Sequence, residues 1–174
     1  MPSTRAKQRR CVMSAFDRCF AIVVGTEGGY VNDPNDSGGE TKFGISKRAY
    51  PSVDIASLTV ADARAIYLRD YWTKIRGEDL PAELALLVFD AAVNSGVSRA
   101  VRWLQAAAHV TEDGIIGSRT IAAVLAVQPG WAMLAEYNLL RLMFMTALPL
   151  WRLDGHGWGR RLCRLPYQAL GVAS

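Results

Sequence analysis

Three side chains near the start of this chain have the types and spacing to cleave a glycosidic bond: Glu27, Asp36 and Thr41. Such cleavage needs a proton delivered to the leaving oxygen and stabilisation of an oxocarbenium-like transition state. A second carboxylate commonly activates water or acts as nucleophile. Glu27 ends an apolar run in which Val12, Phe16, Cys19, Phe20 and Val23 recur at helical spacing. It continues that face one turn beyond Val23. A carboxyl group at a helix C-terminus meets negative partial charge, and partial burial adds to the effect. Both raise its pKa, as a proton donor requires. Asp36 lies nine residues on, in a loop rich in glycine, and Thr41 can hold a water between the two acids. If the carboxylates stand about 6.5–9.5 Å apart, inversion is the expected outcome.

The loop that must position them runs from Glu27 to Ile45. It has no apolar periodicity, and its glycines, Pro34, Asn35 and Asp33 are turn formers. A tight loop with at most one small hairpin within residues 30–45 is expected, with Gly28-Gly29 stopping the helix before it. Asp36 reads either as a water-orienting acid or as an Asx-turn residue. Asp33 and Glu40 read as turn-forming or solvated. Tyr30, Tyr71 and Trp72 can stack on sugar faces, although aromatics at helical spacing usually belong to a core. Asn94 reads equally as a cap or as a ligand for an N-acetyl group, and Asn32 joins the candidate substrate contacts.

The rest of the chain reads as helices. Ser46 is placed as the cap of a brief helix ending near Pro51. Thr59 with Asp62 resembles a capping box opening a helix to about Ile75. Pro81 suits the first turn of a helix to Asn94, closed by Gly96. Helices are expected over 98–109, 118–127 and 131–148. A last one opens near Gly155 and falters at Pro166. For Trp158, Arg160 and Arg161, contact with anionic wall polymer and a Trp packed beneath an exposed basic face stand equally open.

At 174 residues, 51% apolar and 21% charged, the chain suits one globular domain with a sizeable core. The net charge of +4 favours an anionic partner without choosing among nucleic acid, lipid and wall polymer. Cys11, Cys19 and Cys163 do not make a disulfide framework and are read as free thiols. His109 and His156 have no partner at metal-ligand spacing, so no metal or organic cofactor is expected. No G-x-S-x-G or P-loop pattern appears, and no basic helix marks a nucleic-acid binder. The basic start, residues 1–10, precedes an apolar run that Asp17 and Arg18 interrupt, so a signal peptide is the weaker reading. Glu136 and Arg141 make 131–151 a poor membrane span. Synthesis in soluble form in the cytoplasm is expected.

The loop also resembles the signature of the muramidases of glycoside hydrolase family 108, which include phage endolysin-like and secretion-activator proteins. The matching residues run Glu27-Gly28-Gly29-Tyr30, then Asn32-Asp33-Pro34, then Asp36-Ser37-Gly38-Gly39-Glu40-Thr41-Lys42-Phe43-Gly44-Ile45. The likeness continues through Tyr71-Trp72 and through Phe89 to Gly96. Leu104-Gln105 and Asp113 to Thr120 are similar to the peptidoglycan-binding region that accompanies the family. The resemblance implies that Glu27 is the catalytic acid. A further likeness to phage-type lysozymes assigns water positioning to Asp36 and Thr41.

The expected fold is a mainly α, lysozyme-like domain of the α+β kind, with a small hairpin or loop after the first helix. A basic arm over 1–10, a catalytic region over 11–100 and a binding region over 101–174 are expected in one globule. The implied activity is hydrolysis of the β-1,4 bond between N-acetylmuramic acid and N-acetylglucosamine. The implied partner is bacterial peptidoglycan, reached by a monomer through a holin-like pore to the periplasm or wall. Lytic transglycosylase action, or a non-catalytic wall-binding or phage-structural role, are the alternatives.

Overall fold

The computed structural model describes residues 13–25, 29–32, 39–127 and 130–172. Glu27 and Asp36 therefore lie outside the described residues, as does Cys11. Helix α1 spans Ala15–Val24 and is capped by Ser14, whose Oγ accepts the Asp17 amide at 3.1 Å. It buries Phe16, Cys19, Phe20 and Val23, the face expected from their spacing. The helix stops earlier than expected. Gly25 takes φ +73°, a left-handed conformation open to glycine, and its N–H closes on Ala21 O. Glu27 is thus three positions beyond the last residue of α1 in the sequence.

A two-residue hairpin comes next, with β1 (Thr41–Lys42) antiparallel to β2 (Ile45–Ser46). Phe43 and Gly44 turn it, both at positive φ, as a tight I′-type connection requires. The Phe43 carbonyl accepts a hydrogen bond from the Tyr67 hydroxyl at 3.0 Å. That bond anchors a conformation that phenylalanine seldom adopts unaided. Ser46 does not open a helix. It belongs to β2, and its hydroxyl accepts the Ala49 amide in the turn after the strand.

Helix α2 (Val60–Tyr67) begins with the capping box, Thr59 and Asp62 each bonding the other's backbone. It passes into a π-helical turn over Leu68–Trp72, closed by the Thr73 amide on Leu68 O at 2.9 Å. The extra residue in that turn rotates the subsequent side chains by roughly 100°. Tyr71 remains half-buried while Trp72 enters the core.

Helix α3 (Ala82–Ser95) is the centre of the molecule. Every residue from Leu84 to Ala92 is buried, so it is enclosed rather than amphipathic. Pro81 stands just before its first turn and Gly96, at φ +87°, ends it. Around it lie α1, α4 (Val97–Ala107), α6 (Gly130–Thr146) and α7 (Trp151–Val172), with α5 (Ser118–Ala126) beyond α4. One continuous apolar core joins Phe16 to Val172 and crosses residue 100 without a break. Helix α7 starts before Gly155 and runs on through Pro166. Among the described residues no helix is long and apolar enough to cross a membrane. Cys19, buried, and Cys163, exposed, are free. Burial pushes the Cys19 thiol up to about 12, which keeps it protonated and inert.

Candidate functional site

The hairpin holds the described part of the loop in shape. Val31 and Thr41 exchange both backbone hydrogen bonds at 2.8 Å, forming an isolated antiparallel bridge. Residues 32–40 are thus bracketed in the sequence by the two partners of that bridge. The Tyr30 hydroxyl donates to Glu40 Oε1 at 3.1 Å across the bridge. Partial desolvation and this carboxylate both push the Tyr30 phenol above its usual range. Glu40, expected to be turn-forming or solvated, serves to hold Tyr30. The Tyr30 ring is 44% exposed and free to meet a ligand. Asn32 is exposed beside it and bonds its hydroxyl.

Thr41 stands in β1 with its hydroxyl donating to Gly39 O at 3.2 Å. Its proton is committed, whereas its lone pairs can still accept a water. Tyr30 and Asn32 are therefore brought together on one face of the bridge, whereas Thr41, paired with Val31, stands on the other.

Tyr71 belongs to a second patch, reached through Tyr67. Its ring packs on Tyr67 at 5.4 Å, and Tyr67 in turn holds the hairpin. Tyr50 donates to Asp70 at 3.1 Å and bonds Tyr71 as well. Burial, then Tyr71 and Asp70, drives the Tyr50 phenol far upward, so it acts only as a neutral donor. Asp70 is fixed by a bidentate pair with Arg69, which holds its carboxyl below the usual range. Tyr71, partly accessible, keeps its place among the candidate contacts.

Trp72 does not. It is 2% exposed, with rings of Phe16 and Phe89 on it at 5.5 Å each. Its indole N–H donates to Glu78 at 3.0 Å. Gly77 lies so close that an added Cβ would stand 2.4 Å from the indole. No sugar can reach this ring; Trp72 is core.

Asn94 is exposed at the end of α3, its side-chain amide donating to Asp90 O at 2.7 Å. It opens on two adjoining grooves of about 430 and 460 Å³ that share Asn94, Trp158 and Arg161. Beneath them sits a charge cluster that motif and spacing did not single out. Asp90, fully buried, accepts from Arg141, itself fully buried, at 2.6 Å and from Arg161 at 2.7 Å. The signal was present: one acid inside apolar α3 and one base inside apolar α6 must find partners.

The Asp113-Gly114 turn has a structural account. Gln105 donates to Asp113 at 2.6 Å, to Ile115 O at 3.0 Å and to Thr120 at 3.3 Å, and accepts the Gly114 amide at 2.8 Å. It ties α4 to the start of α5.

The family model for glycosyl hydrolase 108 matches residues 20–96, from the second half of α1 through the end of α3. That stretch holds the loop, Glu27, Asp36 and Thr41 together; residues 101–174 lie outside it. The solved structure of Brucella abortus SagA superposes with a TM-score of 0.82 at 34% identity, covering 91% of this chain and 95% of that one. No curated protein matches the sequence. The architecture is the lysozyme-like, mainly α kind expected, with its small sheet after the first helix. The match over the loop and α3, and the likeness to SagA along nearly the whole chain, make this protein a glycoside hydrolase of family 108.

Proposed function

We propose that the protein hydrolyses peptidoglycan, at the β-1,4 bond between N-acetylmuramic acid and N-acetylglucosamine. The observation that carries this reading is the family match over residues 20–96, which gathers Glu27, Asp36 and Thr41 in one segment. Glu27 donates the proton to the leaving oxygen. Asp36 orients or activates the water, and Thr41 accepts a hydrogen bond from that water through its free lone pairs. The bridge between Val31 and Thr41 supports the loop on both sides of the Asp36 segment in the sequence, and Tyr30, Asn32, Tyr71 and Asn94 offer contacts for the sugars. Residues 101–174 are proposed to help hold the wall, the enzyme acting as a monomer in the periplasm or wall after release through a holin-like pore.

Glu27→Gln separates an enzyme from a binder. The expected result is loss of sacculus lysis by at least about a hundredfold, general acid catalysis being worth that much, with wall binding retained. A wild-type protein that binds sacculi and leaves them intact would replace this reading with that of a wall-binding protein.

A further inference from the structure

The groove of about 460 Å³ between α1, α3 and α7 is lined by Ile22, Asn94, Trp158, Arg160, Arg161 and Arg164 among others. Among the described residues the only acid in its wall is Asp90, whose carboxylate is buried and shared between Arg141 and Arg161. One negative charge between two guanidiniums leaves the floor positive. Arg160 and Arg164 add to it from one exposed face of α7, a turn apart. Among the described residues neither has a hydrogen bond or ion pair, and α7 carries no acid but Asp154. Gly157 lies in the same wall with open space where a side chain would be, leaving backbone exposed between Trp158 and the arginines. Unpaired guanidiniums converging on a groove with an amide, Asn94, at one end suit carboxylates on a peptide.

We propose that this groove binds the carboxylates of peptidoglycan stem peptides while the glycan lies at the catalytic loop; the inference rests on the peptidoglycan reading above. Ile22, in the wall of the groove, belongs to the helix that precedes Glu27 by a few residues in the sequence, so the groove adjoins the element that leads into the proposed catalytic loop. The adjoining groove, with Arg99 over the Phe144 ring at 4.3 Å, prolongs the same basic trough.

The test is co-sedimentation of Glu27→Gln protein with Gram-negative sacculi, which carry no wall phosphate polymer, intact or stripped of stems by an amidase. Stripped glycan keeps a lactyl carboxylate on each muramic acid and so controls for charge alone. Intact sacculi should bind about tenfold more tightly, the factor that one charge-assisted contact carries. Adding Arg160→Gln and Arg164→Gln, both at exposed positions, should remove that preference, with binding to stripped glycan weakened only by the smaller amount that two lost positive charges bring. Equal loss on both polymers, or no loss on intact sacculi, overturns the proposal. So does an effect seen only with duplex DNA as probe. Wild-type protein run alongside shows whether sacculi are cut. Failure of the hydrolase reading therefore appears as intact glycan, separately from the binding preference.

Discussion

Asp90, Arg141 and Arg161 place three charges against an otherwise apolar core, and the cost of disturbing them falls on whichever partner is left alone. Replacing Asp90 by leucine leaves Arg141, with no exposed side-chain surface, uncompensated. Urea unfolding should show a loss of about 3–5 kcal/mol. Retained stability would mean that water or relaxation reaches Arg141. At the loop, Thr41→Val keeps the β-branched shape and the backbone bridge to Val31, so its stability should change by less than about 0.5 kcal/mol. Turnover should nevertheless fall about tenfold or more if the hydroxyl holds the water; unchanged kcat would remove Thr41 from the mechanism. The sequence shows residue types better than their directions. Tyr71 and Trp72 are neighbours of like chemistry within the π turn Leu68–Trp72, about 100° apart around the helix, and the turn leaves one half-buried and puts the other in the core. Asp90 and Arg141 were readable as a pair in principle, since an acid and a base each set among the apolar residues of a helix have few other fates.

Elements were legible wherever local chemistry decides them. The Thr59–Asp62 capping box and the Gly96 stop stand where their residue types put them. The errors fall where a distant contact or an overlooked glycine decides. Gly25 ends α1 before Gly28-Gly29 is reached, and Ser46 is drawn into β2 by pairing with Thr41. Pro166 stands within α7 rather than ending it, with Leu165 and Ala169 on either side buried in the core. Gly44 is a sharper case. Its φ is +75° and an added Cβ would stand 2.7 Å from the Tyr67 hydroxyl that fixes the hairpin. Gly44→Ala should cost about 1–3 kcal/mol and lower activity through the loop, measured by thermal unfolding and lysis together. A neutral result would show that the hairpin can rearrange freely. Arg64 on α2 binds Asp17 on α1 at 2.6 Å, and this hydrogen bond holds the Asp17 carboxyl below its usual range. A depressed folded-state pKa contributes stability above the unfolded value near 4, and that stability is lost as pH falls through the folded value. Asp17→Asn should flatten part of the acid limb of stability below about pH 4 by lowering the neutral plateau slightly, the pair being partly exposed.

At the scale of the molecule, the enclosed helix α3 fixes where everything else can go. It seats α1 on one side and the basic face of α7 on another, with Asn94 at its end in the groove that Ile22 of α1 and the arginines also line. With a net charge of +4, the protein is drawn to an anionic wall, so lysis at fixed pH should fall as salt rises from about 0.05 to about 0.5 M. Insensitivity to salt would leave recognition to short-range contacts alone. The central claim is the chemistry at Glu27, and the products report it directly. Mass spectrometry of sacculi digested by the wild-type protein should show muropeptides with hydrated, reducing N-acetylmuramic acid ends, absent when Glu27→Gln replaces it. Anhydromuramyl ends, or reducing N-acetylglucosamine ends, would contradict the account.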